Sequence, residues 1–164
     1  MLNAGHETST NMLSHGINEL IKNKDEFRSL RKDLNKVNTA VEETLRFQPP
    51  IQINNRRSKK ETIIGNTAVP KGTSVHMIIP GGNRDPKQFD EPDMFKISRK
   101  PNRHLSFGLG IHICAGNSLA RIEGRVAFSR IISEFKDINL VSVPKLAKRI
   151  RFREILELPL EFTR

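Results

Sequence analysis

Apolar residues at Met12, Leu13, Ile17, Leu20 and Ile21 recur with the spacing of a buried helical stripe and predict a helix from Leu2 to about Lys22. A second stripe, Phe27, Leu30 and Leu34, follows Asp25, whose carboxylate can cap a helix start. A third passes through Val37, Ala40, Val41 and Leu45 and stops at Pro49-Pro50, because proline has no amide hydrogen to continue the ladder. From Ile51 to about Ile79 the pattern changes to short strands. Gly65-Asn66 and Pro70-Lys71-Gly72 mark turns there, and Val75, Met77 and Ile79 alternate as one strand face. Residues 83–103 carry turn formers and no period, which predicts a long meander. Behind Gly116, the positions Leu119, Ile122, Val126 and Ala127 restore helical spacing up to about Phe135, and Leu158 to Phe162 reads as a terminal strand.

No repeat or composition shift divides the chain, so residues 1–164 read as a single domain, mainly α with small β-sheets. The opening stripe has no N-cap and starts inside an element, which suggests that Met1 begins a fragment or a truncated reading frame. The composition, 36% hydrophobic and 28% charged, fits a globular chain. No apolar run approaches the roughly 20 residues of a membrane span, and no signal-peptide pattern appears. With a single cysteine the chain can form no internal disulfide, which is compatible with the cytoplasm. The net charge of +10 raises nucleic acid as a partner, but Lys and Arg are spread along the chain and Trp and Tyr are lacking as stacking platforms. An acidic protein partner fits that charge better.

The single cysteine sits in Phe107-Gly108-Leu109-Gly110-Ile111-His112-Ile113-Cys114-Ala115-Gly116, directly before a helix. By itself a lone cysteine reads as a small buried hydrophobe. Here Gly108, Gly110 and Gly116 suit a loop wrapped closely about one atom, and backbone amides with the following helix start favour an anionic sulfur. A thiolate out of water needs a cation, and a cysteine-ligated haem takes one such ligand.

The string F-G-x-G-x-H-x-C-x-G resembles the haem-binding loop of the cytochrome P-450 superfamily, closest to bacterial and archaeal members. Ala115 stands where leucine is common in that family. The resemblance implies the C-terminal part of the P-450 fold, with haem b (iron protoporphyrin IX) on Cys114 as metal ligand, Phe107 and Gly108 in the haem-binding loop, and His112 on a haem propionate. Arg56 falls at the position of a propionate arginine, with Arg57 as the fallback, and His104 is a further, less defined cofactor contact. Ala4-Gly5-His6-Glu7-Thr8 looks like the oxygen-activation segment. Thr8 would then steady dioxygen and its protons, and Glu7 would relay protons from solvent; Gly5 and Thr8 also make a local opening of the helix plausible. Glu43 and Arg46 share one helix face and resemble the structural E-x-x-R motif. The family's third member of that network is an arginine in a P-E-R-F-like segment; here Pro92-Asp93-Met94-Phe95 offers Met94, so the third member is absent or comes from elsewhere.

The implied activity is haem-thiolate monooxygenation of a small organic substrate, with electrons from a ferredoxin or flavin protein that basic residues such as Arg121, Arg125 and Arg130 would steer. A full-length member is more than twice as long, so the isolated fragment could be inactive. The alternatives are a peroxide-using haem-thiolate enzyme, a non-catalytic gene fragment, and a zinc-binding module built from His104, His112 and Cys114.

Overall fold

The computed structural model describes residues 2–164, with side chains from Gly5 onward. Met1, where the fragment reading began, and the side chain of Ala4 lie outside the described residues. Helix α1 runs without a break over Leu2–Lys22, so the expected opening at Gly5 and Thr8 is not formed. Within this stretch the Thr10 hydroxyl donates to the His6 carbonyl at 2.8 Å. Helix α2 spans Lys24–Lys32, a 3-10 turn Leu34–Lys36, and α3 Val37–Phe47. Asp25 lies inside the first turn of α2 and pairs with Arg28. The carboxylate that caps is Asp33, which accepts from the Asn35 amide, and this turn takes Leu34 out of α2 and leaves it exposed.

Strands β1 (Ile53–Arg57) and β4 (Ser74–Ile78) pair antiparallel, as do β2 (Thr62–Ile64) and β3 (Thr67–Val69). Val75 and Met77 share a half-buried face as their alternation predicts, but Ile79 opens the helical turn α4 (Ile79–Gly82). A meander then leads through a 3-10 turn at Gly110–His112 into α5 (Asn117–Glu134). The chain ends in β5 (Asp137–Leu140) paired with β8 (Leu160–Thr163), and β6 (Lys145–Leu146) paired with β7 (Ile155–Glu157).

The core forms where α1, α3 and α5 meet: Met12, Leu20, Val41, Leu45, Phe128 and Ile132 are all but inaccessible. Two glycines allow the helices to approach. A β-carbon on Gly16 would lie 2.2 Å from Phe128 Cζ, and one on Gly124 would lie 3.0 Å from the Val41 methyls. These contacts turn α5 so that Gly124, Phe128 and Ile132 are buried while Leu119, at 60% exposure, Ile122 and Val126 face outward. The apolar stripe that located this helix is therefore not the face that packs against α1 and α3. Gly124 contributes to the buried face but no hydrophobicity to the pattern.

Candidate functional site

A cavity of about 540 Å³ opens between α1, β1 and the cysteine loop. Glu7 and Thr8 line it from α1, Arg56 from β1, and Phe107, Gly108, His112 and Cys114 from the loop. Residues more than one hundred positions apart in the chain thus share one space. Met12, Leu45, Ile51 and Phe152 supply its apolar walls. Arg56 reaches it because β1 pairs Arg56 with Val75 and Asn54 with Met77, setting one strand face toward the cavity; Arg57 belongs to the other face and does not line it.

The loop is held by its own backbone. Gly108 and Gly110 both adopt φ of +69°, a region that side chains resist, so glycine is required at these two positions. The Cys114 amide donates to the Phe107 carbonyl at 2.9 Å, and the Asn117 side-chain amide donates to the Cys114 carbonyl at 2.6 Å. Gly116 needs no left-handed conformation; it precedes the first turn of α5, and a β-carbon there would approach Cys114 Sγ to 4.0 Å. The thiol is accessible, so the lone cysteine is not a core hydrophobe.

Glu7 Oε1 accepts from Arg149 Nη1 at 2.9 Å, which fixes its carboxylate at the rim of the cavity. His104, by contrast, does not line the cavity. Its Nδ1 accepts from the Ser106 amide, so Nε2 carries the proton and donates to Glu42 Oε2 at 3.0 Å. This pairing holds His104 against α3, apart from the cavity lining that includes His112 and Cys114. Among the described residues no group of three or more His, Cys, Asp and Glu side chains comes together to hold a metal ion. Burial alone would raise the Glu42 carboxyl, yet hydrogen bonds from His104 and Arg121 bring it down to about 2.

Behind the cavity, Glu43 and Arg46 are both 0% exposed and paired through two bonds of 2.8 Å. Arg46 also donates to the carbonyls of Asn83, Pro92 and Met94. Glu43 accepts from the Lys96 amide, Asn102 Nδ2 and Arg99 Nε. The third member of the network is therefore Arg99, while the Met94 side chain points to solvent and only its carbonyl takes part. Arg99 and Asn102 carry no periodic signal in the sequence. The ordering of the meander around Glu43 is what brings them in.

These elements define a mainly helical fold with small two-stranded sheets, in which a glycine-rich cysteine loop and a threonine-bearing helix line a common cavity. The family model for Cytochrome P450 matches residues 1–148, and the chain belongs to the cytochrome P450 family. It is 36% identical over 160 residues to the biotin biosynthesis cytochrome P450 of Bacillus subtilis, covering 97% of this chain and 40% of that one. The identity is also 36%, over 165 residues, to the polyketide biosynthesis cytochrome P450 PksS of the same organism. Among solved structures, P450BioI in complex with a hexadec-9Z-enoic acid ligated acyl carrier protein superposes with a TM-score of 0.95 at 36% identity, over 97% of this chain and 42% of that one. CYP109E1 from Bacillus megaterium in complex with testosterone gives 0.94 at 32% identity. The chain spans about 40% of the length of the curated relatives it matches. No helix among the described residues is long and apolar enough to cross a membrane.

Proposed function

We propose that residues 1–164 are the C-terminal part of a P450 catalytic domain and that the intact protein is a cytoplasmic haem-thiolate monooxygenase. It would insert one oxygen atom into a small organic substrate, drawing two electrons from a ferredoxin or flavin protein. The observation that carries this reading is that Cys114 and Thr8 line the same cavity from different elements.

The residues fit haem b chemically. An accessible thiol lies at a helix start, the loop offers no side chain at Gly108 and Gly110, and the cavity is apolar with cationic or donor groups at Arg56 and His112. Cys114 would be the residue that ligates the iron, Phe107 and Gly108 would wall the group, and Arg56 and His112 would hold its carboxylates. When bound, the haem supplies the activation of dioxygen. Cys114, held as thiolate by the loop, would supply the iron with electron density. The Thr8 hydroxyl offers a hydrogen bond and a proton inside the cavity, and Glu7, partly exposed and fixed by Arg149, exchanges protons with solvent. The presence of both favours dioxygen over peroxide as the oxidant.

The test is spectroscopic. Chain expressed with haem available, reduced and exposed to carbon monoxide, is expected to show a strongly red-shifted Soret band, and Cys114→Ser to abolish it. A shifted band that survives the substitution excludes Cys114 as the ligand. Absence of any Soret band would exclude haem binding by these residues.

A further inference from the structure

Glu42 precedes the buried Glu43 by one residue, so its carboxylate leaves α3 in another direction and meets α5. Its two oxygens receive Arg121 Nε at 2.6 Å and Arg121 Nη2 at 3.1 Å. Arg121 Nη1 in turn donates to Asn117 Oδ1 at 2.9 Å, and Asn117 Nδ2 donates to the Cys114 carbonyl at 2.6 Å. The Arg121 guanidinium also lies 4.5 Å from the Phe107 ring centroid, and the Phe107 carbonyl accepts the Cys114 amide. Both backbone groups of Cys114 therefore end on residues that Arg121 touches.

We infer that Glu42 is a positioning residue for the cysteine ligand, acting through Arg121 and Asn117 on the Cys114 carbonyl; the inference rests on the haem-thiolate reading only for its consequence at iron. A carboxylate gripping two guanidinium nitrogens fixes both the place and the plane of the arginine. Arg121 then holds the Asn117 amide in the rotamer that donates to Cys114. Hydrogen bonds in series polarise one another, so this donation draws electron density from the peptide joining Cys114 to Ala115. Groups that orient a metal ligand from behind set its basicity as well as its position.

The experiment compares Glu42→Gln, Asn117→Ala and the double variant in two states of the chain. In the haem-free chain the Ala115 amide proton shift reads the polarisation of the Cys114 carbonyl; in the haem-loaded chain the ferric/ferrous midpoint potential reads the sulfur. Each single substitution is expected to move the Ala115 shift upfield and the potential to more negative values. The double variant is expected to move neither beyond Asn117→Ala, because the two residues act in one series. Additive effects, or a Glu42→Gln that moves neither readout, overturn the inference. Coupled Ala115 shifts in a chain whose carbon monoxide complex lacks the red-shifted band would sink the haem reading and leave the positioning role standing. A normal band with uncoupled shifts would do the reverse.

Discussion

Arg99 Nε lies 3.2 Å from Glu43 Oε2, deep in the chain, and so a residue in the meander completes the ion pair that Met94 cannot reach. The carboxylate is fully inaccessible and faces two guanidinium groups, Arg46 and Arg99, together with the Asn102 amide and a backbone amide. Such a charge is tolerable only while its hydrogen bonds are complete.

Arg99→Leu removes one charged donor and leaves the others, and is expected to cost about 2 kcal/mol, the range of a hydrogen bond to a charged group. Glu43→Ala strands Arg46 without its counter-ion and should cost about 3 to 5 kcal/mol. Urea unfolding of both variants measures this. An Arg99→Leu protein as stable as the parent would show that Arg99 is a spectator.

The crossing of α1 and α5 depends on the missing side chain at Gly16. Alanine there places a methyl 2.2 Å from Phe128 Cζ, a separation no packed core accepts. Gly16→Ala is expected to lower stability by about 1 to 3 kcal/mol despite alanine's better helix propensity. Combining it with Phe128→Leu should recover part of the loss, and strictly additive unfolding energies would disprove the contact as the cause.

His15 is buried and its imidazole is pushed down from 6.5 to about 4 by that burial and by the charges of Arg153 and Lys22. Its Nε2 faces the Arg153 carbonyl at 3.1 Å, so the neutral ring donates there. The unfolded chain therefore binds the proton more readily than the folded one. Stability contributed by neutral His15 is complete above pH 6.5 and falls as the pH drops toward 4. The total loss is about 3 kcal/mol at 1.36 kcal/mol per unit. Glu42 adds a second decline further down, from its usual range toward 2. Denaturation between pH 7 and pH 4 checks the first step, and His15→Gln is expected to flatten it; an unchanged slope would assign the acid sensitivity elsewhere.

Thr8 is expected to govern how efficiently electrons become product. In the intact parent protein Thr8→Ala should divert reducing equivalents to hydrogen peroxide while leaving the carbon monoxide spectrum unaltered. The measurement is product formed per electron consumed. A yield equal to that of the unsubstituted protein would remove Thr8 from proton delivery.

Much of this protein is legible along the chain because its signals are local. The stripes of α1 and α3 follow from the helical repeat, the break after Phe47 from Pro49-Pro50, and the open cysteine loop from glycines whose backbone other residues adopt only with strain. The pairing of Glu43 with Arg46 is equally local, since the helix alone puts them on one face.

What the tertiary structure decided are the relations between distant segments. The outward turn of Leu119, Ile122 and Val126 follows from Gly16 and Gly124, whose contribution is an absence of atoms and so leaves no hydrophobic mark. The entry of Arg99 into the Glu43 network, the commitment of His104 to Glu42, and the reach from Glu42 to Cys114 all join residues whose spacing has no period. Periodicity reports which face of an element is apolar. Only packing determines what that face meets.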